Sequence, residues 1–127
     1  MSAIRTLLAL LAVFLLAGCR QPEPTPTDTV RIQLAYETEP VRVGQAALVV
    51  TLTDAAGQPI ADAQVSVRGD MTHAGMVPVL GEGQPQGDGR YRVPFEWTMS
   101  GDWFVEVTAV LPNGVTARQR FDLTVSR

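Results

Sequence analysis

Short runs in which apolar and polar residues alternate with a period of two fill the chain from residue 30 onward. In the first run, Val30, Ile32 and Leu34 alternate with Arg31 and Gln33. Because a β-strand points successive side chains to opposite faces, this alternation predicts strands with one face buried. Further runs of this kind occur at 48–52, 63–67, 91–97, 103–111 and 115–125.

The spacing of these runs predicts a fold made of strands alone, with no helix longer than about two turns beyond residue 20. Gly44-Gln45, 54–59 and 81–89 have the composition of loops, and Pro112-Asn113-Gly114 predicts a hairpin turn. We therefore predict an all-β, immunoglobulin-like β-sandwich of about seven short strands over residues 30–127, with a small barrel as the alternative. The predicted buried residues are Val65, Val67, Val93, Phe95, Val105 or Val107, Leu123 and Val125.

The N-terminus has the pattern of a bacterial lipoprotein signal. Arg5 precedes an apolar run that ends in Ala17-Gly18-Cys19, which predicts a signal peptide over 1–18 and a lipid on Cys19, an uncleaved anchor being the alternative. The proline-rich segment 19–29 predicts an extended linker. The domain would then be exported and held on a membrane, facing the periplasm or the cell exterior. Arg20 favours the outer membrane if the cell is Gram-negative.

Composition removes several function classes. The chain has 13 acidic residues against 10 basic ones, a net charge of −3, which argues against a nucleic-acid partner. It contains no lysine, one histidine and one cysteine, the predicted lipid site. Ser66, Ser100 and Ser126 lie in no recognisable nucleophile motif. We therefore expect no catalytic residues and no enzymatic activity.

The segment 70–76 gathers Met71, His73 and Met76, and Met99 follows in a short segment between Trp97 and Trp103. Thioether and imidazole donors together suit a soft ion such as Cu(I), whereas Zn²⁺ and Ca²⁺ prefer other ligand sets. We predict a copper site of these three methionines and His73, close together at one end of the sandwich.

The competing interpretation is that these methionines fill gaps in the core. Gly69, Gly75 and Gly101 favour turn positions for them instead. Trp97 and Trp103 either shield the ion or, as ordinary core residues, pack in the interior.

Four segments carry a resemblance to a known family: 57–65, 71–76, Gly89-Arg90-Tyr91 and 99–103. Together they resemble the YtkA-like domain, and FixH-like proteins share related features. The resemblance implies an extracytoplasmic immunoglobulin-like domain associated with copper handling and copper-oxidase assembly, with family methionine and histidine positions matching Met71, His73, Met76 and Met99. CopC-like carriers bind Cu(II) through an N-terminal histidine, which this chain lacks near Cys19.

These observations lead to one functional prediction and one alternative. The prediction is a lipid-anchored Cu(I) carrier or chaperone that supports copper homeostasis or copper-oxidase assembly. Its partners would be the membrane, through Cys19, and a copper acceptor such as an oxidase subunit or another carrier. The alternative is a β-sandwich lipoprotein without metal, with a structural or protein-interaction role in which exposed methionines contact a partner.

Overall fold

The computed structural model describes residues 29–73 and 75–127. The predicted signal peptide, Cys19 and nearly all of the predicted linker lie outside the described residues. Within the described part of the chain there is no α-helix, and so none that is long and apolar enough to cross a membrane. The strands are β1 (Val30–Tyr36), β2 (Gly44–Asp54), β3 (Gln64–Met71), β4 (Val79–Glu82), β5 (Gln84–Gly87), β6 (Arg90–Trp97), β7 (Gly101–Val110) and β8 (Thr116–Val125).

The strands form two four-stranded antiparallel sheets packed face to face. One sheet has the order β1-β2-β6-β5 and the other has the order β4-β3-β7-β8. The chain passes from one sheet to the other at Gly83, between β4 and β5. This arrangement confirms the predicted immunoglobulin-like β-sandwich, with eight strands for the expected seven or so.

The core lies between the sheets and follows the alternation in the sequence. In β6, Tyr91, Val93, Phe95 and Trp97 are buried while Arg90 is exposed. All the residues predicted to be buried are buried, including both Val105 and Val107, except Leu123. Leu123 is half-buried because β8 is an edge strand, so the opposite sheet covers its inner face only in part.

Two segments predicted to be loops are strands in the structure. Residues 81–89 contain part of β4 and all of β5, and β2 already begins at Gly44. Close approach explains the glycines: a Cβ on Gly81 would lie 2.5 Å from Val93 Cγ1, and a Cβ on Gly83 would lie 2.8 Å from Val65 Cβ. The glycine, glutamine and proline residues of these short strands do not favour strand structure by themselves. These segments become strands because neighbouring strands pair with them.

Strand direction divides the sandwich into two ends. β1, β3, β6 and β8 finish at one end, where β2, β4 and β7 begin. We call it the methionine end, and it comprises segments 37–43, 72–78 and 98–100. The opposite end carries the start of β1 and the turns 55–59 and 111–115. The second of these turns is the predicted hairpin, closed by a hydrogen bond from the Leu111 amide to the Val115 carbonyl.

Candidate functional site

Met71 is the last residue of β3 and lies at the top of the core. Its backbone pairs with Trp103 in β7, and its side chain is 6% exposed. The prediction that Gly69 places this methionine in a turn is wrong, because Gly69 and Met71 both belong to β3. Alternate residues of a strand face the same side, so both side chains point inward and Met71 lies at the floor of the candidate site.

The turn between β6 and β7 brings Met99 to the same end. Met99 is 48% exposed, and its backbone carbonyl accepts a hydrogen bond from Trp103 Nε1 at 3.0 Å. Gly101 starts β7 with a φ of +130°, and a Cβ there would lie 2.8 Å from Met71 Cε. The Met71 methyl group therefore packs directly against the chain two residues after Met99.

The other two predicted ligands lie on the segment that follows β3. His73 is exposed, whereas Met76 is half-buried and packs against the core. Between them Gly75 has a φ of +99°, a backbone conformation that favours glycine and turns the chain back toward β4. All four predicted ligands are therefore at the methionine end, at different depths: His73 and Met99 at the surface, Met76 below them and Met71 in the core.

An aromatic stack supports the site from below. The Trp97 ring packs edge-on against the Trp103 ring, with centroids 5.1 Å apart, and against the Phe95 ring at 4.8 Å. Both tryptophans are 1% exposed, so core packing accounts for them. Gly69 makes room for this stack, since a Cβ there would lie 2.5 Å from Phe95 Cζ.

The carboxylates nearest these loops already have partners. Asp70 accepts a hydrogen bond from Arg68 Nη2 at 2.9 Å, and Asp102 accepts one from the Thr124 hydroxyl at 2.7 Å. Within residues 29–73 and 75–127, no three His, Cys, Asp or Glu side chains are grouped so that they could hold a metal ion. The methionine sulfur atoms and His73 are the soft-metal donors on segments 71–76 and 98–100.

A small cleft of about 110 Å³ adjoins the site on the side of segment 37–43, with Tyr36, Val43 and Trp97 in its wall. Burial raises the pKa of the Tyr36 hydroxyl, and the charge of Glu39 adds to the effect. On the same sheet, Arg92 in β6 binds Glu37, which follows β1, through two hydrogen bonds, at 2.6 and 3.1 Å. That hydrogen bonding, aided by the charge of Arg92, lowers the pKa of the Glu37 carboxyl.

Sequence reasoning missed the part played by two glycines. Gly69 and Gly101 leave the spaces occupied by the Phe95 ring and the Met71 methyl group. A glycine inside an otherwise regular alternation, as in Val65-Ser66-Val67-Arg68-Gly69, is a signal for such a close approach.

A comparison with protein-family models shows which family the chain belongs to. The family model described as YtkA-like matches residues 26–108, more than half of the 127 residues. The chain belongs to the YtkA-like family. The matched part of this YtkA-like chain runs from β1 into β7 and includes all four predicted ligands, whereas β8 lies beyond it. The resemblance seen in the sequence is therefore confirmed.

Other comparisons add little to the assignment of this YtkA-like domain. No curated protein matches the chain. Among solved structures, the Lin-41 filamin domain is 18% identical with a TM-score of 0.49, covering 74% of this chain and 92% of that one. MtrC from Shewanella baltica OS185 is 15% identical with a TM-score of 0.49, covering 76% of this chain and 22% of that one.

The soluble domain of PmoD from Methylocystis sp. ATCC 49242 (Rockwell) is 13% identical with a TM-score of 0.45, covering 76% of this chain and 90% of that one. Resemblances at this level say nothing about function.

Proposed function

We propose that this YtkA-like chain is an extracytoplasmic copper-binding protein that holds Cu(I) at the methionine end and passes it to a partner. The observation that carries the proposal is the convergence of two separate methionine segments: Met71, at the end of β3, packs against Gly101, which follows Met99 by two residues. Thioethers stay neutral and form no disulfides, so such a site suits an oxidising compartment. The family's association with copper handling supports the same function.

The depths of the four side chains suggest how the ion is held. His73 and Met99 are exposed and would meet the ion first, whereas Met76 is half-buried. Met71 completes the site from below if segment 72–78 adjusts, as ligand loops commonly do on binding. An ion held mainly by surface donors can leave readily, as a carrier requires. We propose no enzymatic reaction for this arrangement.

Export and anchoring form the second part of the proposal. The signal pattern over 1–18 and the lipid on Cys19 would hold the domain on a membrane through the linker 19–29. The domain would then face the periplasm or the cell exterior. Metabolic labelling with a radioactive fatty acid tests this, since Cys19→Ser should abolish incorporation.

A competition with a chromophoric Cu(I) chelator tests the copper site. The protein from residue 20 onward is suitable because, among the described residues, the buried core lies between Ile32 and Val125. We expect Met99→Leu to weaken Cu(I) binding by about tenfold or more, because leucine keeps the shape and removes the donor. The matched control is Thr98→Ala, an exposed neighbour without sulfur, which should leave the affinity unchanged. Wild-type protein that takes no Cu(I) from the chelator contradicts the proposal.

The pH dependence of Cu(I) affinity distinguishes the role of His73 from that of the methionines. An imidazole must lose its proton to bind a metal, whereas a thioether has no proton to lose. Cu(I) affinity should therefore fall as the solution is made more acidic between about pH 8 and pH 5, by at most about tenfold per pH unit. His73→Ala should remove this slope, while Met71→Leu and Met99→Leu should keep it. A slope that survives in His73→Ala shows that His73 is not a ligand.

One observation favours the alternative of a domain without metal. Met71 is as deeply buried as a core residue, and Met76 packs against the same core, which is how gap-filling methionines behave. Under this alternative the domain has a structural or protein-interaction role and binds no Cu(I). Met71→Leu, a swap of similar volume that costs less than about 1.5 kcal/mol of stability, should then change no copper measurement.

A further inference from the structure

Exposed apolar side chains are concentrated at the methionine end. Among the described residues, four large hydrophobic side chains are exposed, namely Val43, Val77, Leu80 and Met99, and all but Leu80 belong to the segments that close this end. We call Val43, Val77 and Met99 the apolar rim. Val77 is 82% exposed, nearly as much as a free side chain. The turns of the opposite end carry no exposed side chain of this kind.

Strand register places the rim around the candidate copper site. Gly44 pairs with Trp97, so Val43 and Met99 flank that pair as the two strands leave the sheet. On the other sheet, Val79 in β4 pairs with Gly69 in β3. Val77 precedes Val79 by two residues and therefore lies closer to the methionine end, at the level of Met71. The rim therefore borders the candidate site from both sheets.

The size of the rim suits a brief contact. Its three side chains expose on the order of 300 Å² of surface, whereas a stable complex needs about 800 Å² from each partner. In a permanent dimer formed through this surface, polar loop residues would have to supply most of the buried interface area. A short-lived encounter, in which two sites meet and part, requires no more apolar area than this.

The chain enters the domain at the end opposite the apolar rim. β1 begins at Val30, which pairs with Asp54 at the opposite end, and runs seven residues to the methionine end. Seven residues of strand span about 23 Å, so the segment before Val30 starts on the far side of the domain. Tethered there, the domain presents the rim away from its point of attachment.

The charges at this end do not suit an anionic membrane surface. Segment 37–43 carries Arg42 together with Glu37 and Glu39, and segments 72–78 and 98–100 contain no arginine. Arg68, in β3, is paired with Asp70. No lysine is present anywhere in the chain, and polybasic clusters are what attract a protein to anionic lipid. An apolar surface without a cationic cluster fits an apolar protein surface.

From these observations we propose that the apolar rim is a transient docking surface for a second copper-binding protein. This partner would lie away from the anchoring membrane and would expose apolar side chains around its own soft-metal site. The proposal rests on the proposed function. During contact, Cu(I) would exchange the sulfur and nitrogen donors of one protein for those of the other, with no change of oxidation state.

Site-specific photocrosslinking of the full-length protein in its own cells tests the docking surface. A benzophenone amino acid is placed at Val77 or Val43, and at Gln58 or Asn113 in the turns of the opposite end as matched controls. We expect the two rim positions to crosslink to a protein that mass spectrometry identifies and that binds Cu(I) when purified. The control positions should give no such product.

Transfer kinetics with the identified protein complete the test. Val77→Ser and Val43→Ser should slow Cu(I) transfer by about tenfold while leaving equilibrium Cu(I) affinity within about twofold, because neither side chain is a donor. Thermal unfolding checks that both variants remain folded.

Several results would overturn the docking proposal. They are crosslinks to lipid or to a second copy alone, equal crosslinking from the control positions, a captured protein that binds no copper, and unchanged transfer rates. Wild-type protein that binds no Cu(I) overturns the proposed function instead, whatever the crosslinks show. Intact Cu(I) binding without rim-specific crosslinks overturns the docking surface alone.

Discussion

Replacing Gly69 with alanine introduces a methyl group into the aromatic stack below the methionine end. The new Cβ would lie 2.5 Å from Phe95 Cζ and 3.3 Å from Phe95 Cε1. The shorter distance is about 1 Å less than the optimal separation of two carbon atoms. Phe95 is 3% exposed and packs against Trp97, which packs against Trp103. The ring therefore has no free space into which it can move.

We expect Gly69→Ala to lower the free energy of unfolding by about 2 kcal/mol, within the usual range for overpacking a core. For a domain of this size the melting temperature should then fall by roughly 8–16 °C. Thermal unfolding followed by near-ultraviolet circular dichroism measures both the loss and the state of the tryptophans. The comparison variant is Gly114→Ala, where φ is +85° and nothing lies within 4 Å. It should lose only about 1 kcal/mol, from backbone conformation.

A double-mutant cycle separates steric overlap from other causes. Phe95→Leu removes the ring that the new methyl group meets, so Gly69→Ala should be less destabilising in that background than in the wild type. The coupling energy should be about 1 kcal/mol or more. If Gly69→Ala costs less than about 0.5 kcal/mol, the level of a neutral surface change, or if the two changes are simply additive, the account of the stack is wrong.

Three further predictions concern single side chains. Tyr91→Phe should lower the free energy of unfolding by about 1–3 kcal/mol in a urea titration, because the buried hydroxyl bridges two backbone groups. Glu37→Gln should lower the free energy of unfolding slightly at neutral pH. Because pairing with Arg92 lowers the pKa of Glu37 in the folded state, the difference in unfolding free energy between wild type and variant should vanish as the pH falls through that lowered pKa. Added salt should also reduce this difference. Trp103→Phe removes the hydrogen bond to the Met99 carbonyl, and faster amide hydrogen exchange in the turn 98–100 should result, whereas unchanged exchange would show that this bond does not hold the turn.

Part of the candidate site could be predicted from the sequence. The clustering of Met71, His73 and Met76, and the position of Met99 after another strand, depend only on chain order. In an antiparallel sandwich, β3 and β6 finish at the same end, so the segments that carry these four residues lie at one end. That the four side chains hold a metal together stays a prediction. The depth of each side chain was not readable. Met71 was expected in a turn, but it is the last residue of β3 and lies in the core.

The sequence by itself determined six of the eight strands, namely β1, β2, β3, β6, β7 and β8, together with their inner faces and the β7–β8 hairpin. Alternation of period two is a local consequence of strand geometry, and Pro112-Asn113-Gly114 is a local turn signal, so neither depends on distant partners. The resemblance to the YtkA-like family came instead from four sequence segments, 57–65, 71–76, 89–91 and 99–103.

Only the tertiary structure decided which weakly patterned segments become strands and how deeply each residue lies. β4 and β5 form because β3 and β6 offer them unpaired backbone groups, although their glycine, proline and glutamine residues favour loops. Leu123 is half-exposed because its strand stands at a sheet edge, and Met71 is buried because the turn before Gly101 closes over it. Whether a residue is buried depends on the side chains and backbone that pack over it, and these come from distant parts of the chain.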